Sequence, residues 1–117
     1  CLISAAKFKK DITPIDAGLE ELLKLRPVNY YLKEPLGEND KIQQFGFIAD
    51  EAQKIDPRLV TLDTKGEVRG FRYEQFTAII TKAVQDMYGQ FQKLIARISG
   101  LEKRMDDLEK RIKELEK

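Results

Sequence analysis

The sequence predicts an α+β fold: a small head of short helices and β-hairpins packed on a long C-terminal helix that forms a parallel trimeric coiled coil. Three observations lead there. From Ile80 onward, apolar residues recur at alternating spacings of four and three, which is a heptad. Charged residues flank that seam in a fixed order, Arg before it and Glu after it. Ahead of the seam, short apolar runs are broken by Pro, Gly and Asp, which suits small helices and hairpins. The head is placed over residues 1–75 and the long helix over 76–117. A head of that size has a thin core, near the limit at which association is needed for stability.

The elements follow in order. The run Cys1 to Ile12 mixes apolar and basic residues. Asp16, just after Pro14, is a plausible N-cap for a short amphipathic helix carrying Leu19, Leu22, Leu23 and Leu25 and ending before Arg26-Pro27. Val28 to Leu32 has the β-branched and aromatic content of a strand, and Gln44 to Ile48 reads as a second. Pro35, Gly37, Asn39 and Asp40 mark the loop between them, so one hairpin is the economical arrangement. Asp50 to Ile55 predicts a short helix stopped by Asp56-Pro57. Leu59 to Leu62 and Val68 to Tyr73 flank Asp63-Thr64-Lys65-Gly66, a second hairpin. A single helix then runs from about Glu74 to near the end.

One seam position of that helix takes Val84, Phe91, Ile98, Met105 and Ile112 (a). The other takes Ile80, Met87, Leu94, Leu101, Leu108 and Leu115 (d). Ile at a with Leu at d leans towards dimers, so the seam alone does not fix the number of strands. The flanks add to it. Arg97, Arg104 and Arg111 fall at g, and Glu102, Glu109 and Glu116 at the following e, five residues on. In a parallel assembly such pairs meet across neighbouring chains. The tandem runs resemble the Arg-apolar-x-x-apolar-Glu signature of trimeric coiled coils, so a homotrimer is expected. Between Phe76 and Ile95 the stripe widens to include Ile79, Ala83, Tyr88 and Ile95, and the head is the expected cover for that width. Below Ile98 only the seam is apolar, as in a bare stalk.

Composition excludes several functions. With 21 basic against 20 acidic residues, there is no global attraction to nucleic acid or membrane. The cluster Lys7 to Lys10 is too narrow for phosphate-backbone binding. No apolar run approaches the length of a membrane span, and there is no signal-peptide pattern. The chain begins with Cys1 rather than Met, as expected of a piece of a longer protein. With a single Cys there is no internal disulfide. The sequence has no His, which removes Ser-His and Cys-His nucleophile pairs and disfavours zinc. No metal or cofactor is expected, and the scattered Gly residues form no phosphate loop. Neighbouring acids such as Asp50-Glu51 read as solvated or capping groups.

The candidate chemistry is narrow. Ser99 falls at an outward b position of the stalk. Ser4 is followed five residues later by Lys9, within Lys7-Phe8-Lys9-Lys10. A Lys serves as base only when neutral, which needs desolvation or cationic neighbours. Spacing alone makes this pair unremarkable.

The run Ser4-Ala5-Ala6-Lys7-Phe8-Lys9-Lys10-Asp11-Ile12 resembles the opening of the intramolecular chaperone domain of phage endosialidases and other tail fibres, commonly Ser-Asp-x-Arg-x-Lys-x-x-Ile. Leu22-Leu23-Lys24-Leu25-Arg26-Pro27-Val28-Asn29-Tyr30 is similar to the family's Leu-x-x-Leu-Arg-Pro-Val-x-Tyr stretch. Phe45-Gly46-Phe47-Ile48-Ala49-Asp50-Glu51-Ala52 is similar to its Gly-Phe-Ile-Ala-Gln-Glu-Val block, and Leu59-Val60, Arg72-Tyr73 and a long helix complete the order. Some membrane-bound transcription factors carry the same domain type. The resemblance implies a C-terminal chaperone that assembles three fibre chains in register in the host cytoplasm and then releases itself. It also implies cleavage of the Ile3–Ser4 bond, with Ser4 as nucleophile and Lys9 as base, and the upstream fibre or spike region of the same polypeptide as partner. Ala5 stands where the family has Asp, and Lys7 where it has Arg. A non-catalytic structural trimerisation domain is the alternative reading.

Overall fold

The computed structural model describes residues 3–33 and 41–117. The loop expected at Pro35 to Asp40 lies outside the described residues, as does Cys1. Among those described, the order is a 3-10 turn (Ala6–Phe8), α1 (Leu19–Lys24), β1 (Val28–Tyr30), β2 (Gln44–Gly46), α2 (Ala49–Ile55), a second 3-10 turn (Pro57–Leu59), β3 (Val60–Leu62), β4 (Val68–Phe71) and α3 (Tyr73–Leu115). This is the expected α+β class with a long C-terminal helix. The strands are shorter than the sequence runs that predict them. The residues beyond Tyr30 and Gly46 leave the ladder, and Phe47 turns into the core.

Each strand pair is an antiparallel two-stranded sheet. In the first, Val28 faces Gly46, Asn29 faces Phe45 and Tyr30 faces Gln44. In the second, Val60 faces Phe71 and Thr61 faces Gly70, and an irregularity follows before Leu62 faces Val68. The turn between β3 and β4 is built by Asp63. Its carboxylate accepts the backbone N–H of Lys65 at 2.8 Å and of Glu67 at 2.9 Å. Gly66 supplies the left-handed backbone at φ 81° that the turn requires.

The core is small. Ala52, Leu59, Val60 and Phe76 are buried, and Leu22, Leu25, Phe47, Ala49, Val68, Phe71 and Ile79 pack around them. Phe47 stacks on Phe71 at 4.9 Å, and Phe76 meets both rings edge-on at 5.4 and 5.3 Å. Such aromatic pairs add about 1 kcal/mol each beyond their burial. Arg72, the cap residue just before α3, donates its backbone N–H to the Leu59 carbonyl at 2.7 Å and its Nε–H to the Val60 carbonyl at 2.9 Å. The long helix therefore grows directly out of the core.

Asp16 does not cap α1. The helix begins further on, with Gly18 in the cap position. The Gly18 N–H is accepted by Glu21 at 2.7 Å and the Leu19 N–H by Asp86 of α3 at 3.3 Å. The Asp16 carboxylate is instead drawn to Arg58 at 2.8 Å. A Cβ at residue 18 would lie 2.7 Å from both Asp86 Oδ2 and Lys82 Cγ, so a larger residue there must displace those side chains.

The wide stripe on α3 is covered on one flank only. Ile79 joins the core and Ala83 is fully buried beneath the head. Tyr88 and Ile95, both at heptad position e, remain 61% and 46% exposed. Within one chain the head therefore covers part of the widened stripe, with α1 lying against Lys82 and Asp86. From Gln90 onward every residue is exposed in the single chain. The 43 residues of α3 span about 65 Å of the molecule's longest dimension of 83 Å.

Candidate active site

Ser4 and Lys9 lie on an arm at the start of the head, ahead of α1. One 3-10 turn folds the arm back, with the Phe8 N–H on the Ala5 carbonyl and the Lys9 N–H on the Ala6 carbonyl, both at 3.0 Å. The reversal carries Lys9 Nζ to 3.1 Å from Ser4 Oγ, a hydrogen bond in which the amine donates. Within one chain the contact needs no residue outside this short stretch. Ile3, on the other side of the bond in question, is 69% exposed. Ser4 and Lys9 are exposed as well. The neighbouring Lys7 ammonium stands 5.1 Å from the centre of the Phe8 ring, a cation–π contact.

After the turn, Asp11 adopts a left-handed backbone at φ 53°, which redirects the chain. The arm then meets the body at Asp16 and Ala17. Ala17 is buried, and Asp16 is paired with Arg58. Arg58 also binds Asp56 at 2.7 Å and sits in the turn that follows α2. Hydrogen bonding from Arg58 holds the Asp56 carboxyl below its ordinary range, and the two carboxylates raise the Arg58 guanidinium. The sequence reading used Asp56-Pro57 only as a helix stop. The adjacent Arg was its missed signal, since an Arg two residues after an Asp can return to it.

A second missed pair is Arg26 with Glu51. Arg26 Nε donates to Glu51 Oε1 at 3.0 Å while Nη2 binds the other oxygen, a two-pronged contact joining the end of α1 to α2. The hydrogen bond from Arg26 is the main cause of a lowered Glu51 pKa. The Asp50-Glu51 neighbours are thus unlike: Glu51 is a pairing group, and Asp50 lies in the first turn of α2.

The seam residues stay uncovered in the single chain. Val84, Met87, Phe91, Leu94, Ile98, Leu101, Met105, Leu108, Ile112 and Leu115 are all large apolar side chains in the exposed class. Arg97, Glu102, Arg104, Glu109, Arg111 and Glu116 are also exposed. Among the described residues, none of these six joins an ion pair within its own chain.

Comparison with known proteins decides the family. Residues 4–61 match the model of a peptidase family described as the chaperone of endosialidase. Over that span the chain belongs to the chaperone of endosialidase family. The family is one of self-cleaving peptidases that act as intramolecular chaperones, with phage fibres as their context. The match opens on Ser4 and takes in the arm, α1, the first hairpin and α2. It closes within β3, so β4 and α3 lie beyond it. No curated protein matches the chain. Among the described residues no group of acids, His or Cys is placed to hold a metal ion, and no helix is long and apolar enough to cross a membrane.

Proposed function

We propose that this chaperone of endosialidase domain drives homotrimeric assembly of a phage tail fibre or spike and then frees itself by cutting the Ile3–Ser4 bond. The observation that carries the reading is the 3.1 Å contact between Lys9 Nζ and Ser4 Oγ, at the residue where the family match begins. The head over residues 1–75 holds the cutting loop, and the helix over 76–117 is the clamp.

The chemistry balances without a cofactor. Lys9, as the free amine, takes the Ser4 Oγ proton while the oxygen attacks the carbonyl carbon of Ile3. The bond from that carbon to the Ser4 nitrogen breaks. The proton passes to this nitrogen, which becomes a new amino terminus, and the acyl group remains on Oγ as an ester. Water then adds to the ester carbon, the bond to Oγ breaks, Oγ regains a proton and Ile3 leaves as a carboxylate.

The clamp follows from the exposed seam. A bare helix in water is marginal on its own, and burying the seam between copies offsets that cost. A β-rich fibre forms from distant contacts, folds slowly and can lose register. A helical clamp forms from local contacts, and joining the chains raises their effective concentration. Cutting after assembly leaves the fibre behind a kinetic barrier. Assembly takes place in the host cytoplasm, and the cut domain is absent from the finished particle.

The second reading, a trimerisation domain that does not cut, is favoured by the open solvent around Ser4 and Lys9 and by Ala5 in place of the family's Asp. One gel separates the two. With a folded reporter fused upstream of Cys1, the wild type splits on the amino side of Ser4, while Ser4→Ala and Lys9→Ala stay intact. Three full-length bands would sink the cutting reading.

A further inference from the structure

The bare flank of α3 has a specific occupant. Resting on the parallel-trimer reading above, we infer that Tyr88 and Ile95 of one copy pack against α1 of the next copy, so that each head bridges two helices of the clamp.

Register leads to this contact. In a parallel coiled coil, a residue at e faces the g residue of the neighbouring helix five positions earlier. Tyr88 therefore faces the neighbour's position 83, and Ile95 faces its position 90. Ala83 is fully buried by its own head. Gly18 lies against Lys82, and the Leu19 N–H is bonded to Asp86, so α1 occupies that site. The ring of Tyr88 meets a head there rather than bare helix.

The surface it meets offers two apolar side chains, Leu19 and Leu23, among polar neighbours that include Glu20, Gln85 and Lys93. Leu23 of α1 is 74% exposed. It lines a groove of about 580 Å³ between α1 and α3, together with Leu19, Asp86 and Gln90. Gln90 is the g residue opposite Ile95. The e positions also change character where the head ends: Tyr88 and Ile95 stand beside it, and Glu102, Glu109 and Glu116 follow below. Apolar e residues occur only at the level where a neighbouring head is available to cover them. The acidic ones pair with Arg97, Arg104 and Arg111 of the adjacent helix.

Cross-linking of the full chain in a Cys1→Ser background tests the contact. Leu23→Cys with Tyr88→Cys should oxidise to a covalent trimer on a non-reducing gel, because each chain links to the next around the ring. Arg104→Cys with Glu109→Cys reports the stalk register independently. Covalent trimer from both pairs supports the contact. Covalent trimer from the stalk pair alone overturns it and leaves the trimer standing. Sedimentation at single-chain mass, with neither pair cross-linked, removes the trimer reading and this contact with it. Without cysteines, Tyr88→Ala with Ile95→Ala should keep the trimeric mass while amide exchange in α1 rises roughly tenfold. Unchanged exchange in α1 would also overturn the contact.

Discussion

Asp16 and Arg58 are joined at 2.8 Å, and this pair fastens the Ser4-bearing arm to the turn after α2. Both side chains are largely exposed, so the pair matters more for where the arm lies than for global stability. Arg58→Ala should lower the melting temperature slightly, because it also removes the pair with Asp56. It should increase trypsin cleavage at Lys7, Lys9 and Lys10 in the intact fold, with Asp16→Asn giving the same digest. A digestion rate equal to wild type would show that Ala17 alone anchors the arm.

Phe76 is 6% exposed and touches both Phe47 and Phe71. Phe76→Ala should cost about 3–5 kcal/mol, the usual cost of emptying an aromatic site in a packed core. With so few buried residues the head cannot absorb that loss. Near-ultraviolet circular dichroism should lose its aromatic signal, while the far-ultraviolet signal of the stalk persists.

Gly18→Ala places a methyl group 2.7 Å from Asp86 Oδ2 and Lys82 Cγ. Lys82 can move aside, but Asp86 is held by both Lys82 and the Leu19 N–H. The expected loss is about 1–3 kcal/mol, as for overpacking elsewhere. Urea unfolding measures it, and exchange should rise first in α1.

Acid should loosen the head in a defined sense. Hydrogen bonds from Arg26, Arg58 and Lys82 lower the pKa values of Glu51, Asp56 and Asp86 respectively. A carboxylate with a depressed folded pKa stabilises the fold above its unfolded pKa, near 4 for these residue types. That contribution is lost as the pH falls from there through the lower folded values. Melting temperature should therefore be flat at neutral pH and fall below about pH 4. Arg26→Met should flatten part of that fall.

Leu101→Ala with Leu108→Ala removes two layers of the exposed seam, whose side chains are 54% and 55% exposed in one chain. Sedimentation should show loss of the trimer. In the reporter fusion the same change should suppress splitting at Ser4 on the proposed reading, in which cutting follows assembly. Splitting that continues at single-chain mass would separate the two events.

Much of this fold is legible in the sequence because its signals are local. The Asp63 to Gly66 turn and the proline stops each act within a few residues and yield the elements expected, and the apolar repeat yields the expected long helix. The distant contacts are not legible in the same way. Nothing near Asp16 announces Arg58, so a residue that looks like a helix cap becomes an ion-pair partner. Nothing in the apolar stripe says which flank the head covers, because that depends on how closely Gly18 lets α1 approach. Ser4 and Lys9 lie between these cases. Their spacing is ordinary, and resemblance rather than periodicity singles them out.

The turn over Ala6–Phe8 makes the Ser4–Lys9 contact without help from the core. On the proposed reading, the geometry of the loop would be separable from the scaffold that brings three copies together. A substitution in the loop can silence it while the rest folds unchanged, and the product would be a fibre that keeps its clamp for good. Conversely, the first nine residues could be grafted ahead of another parallel trimer and judged there on their own.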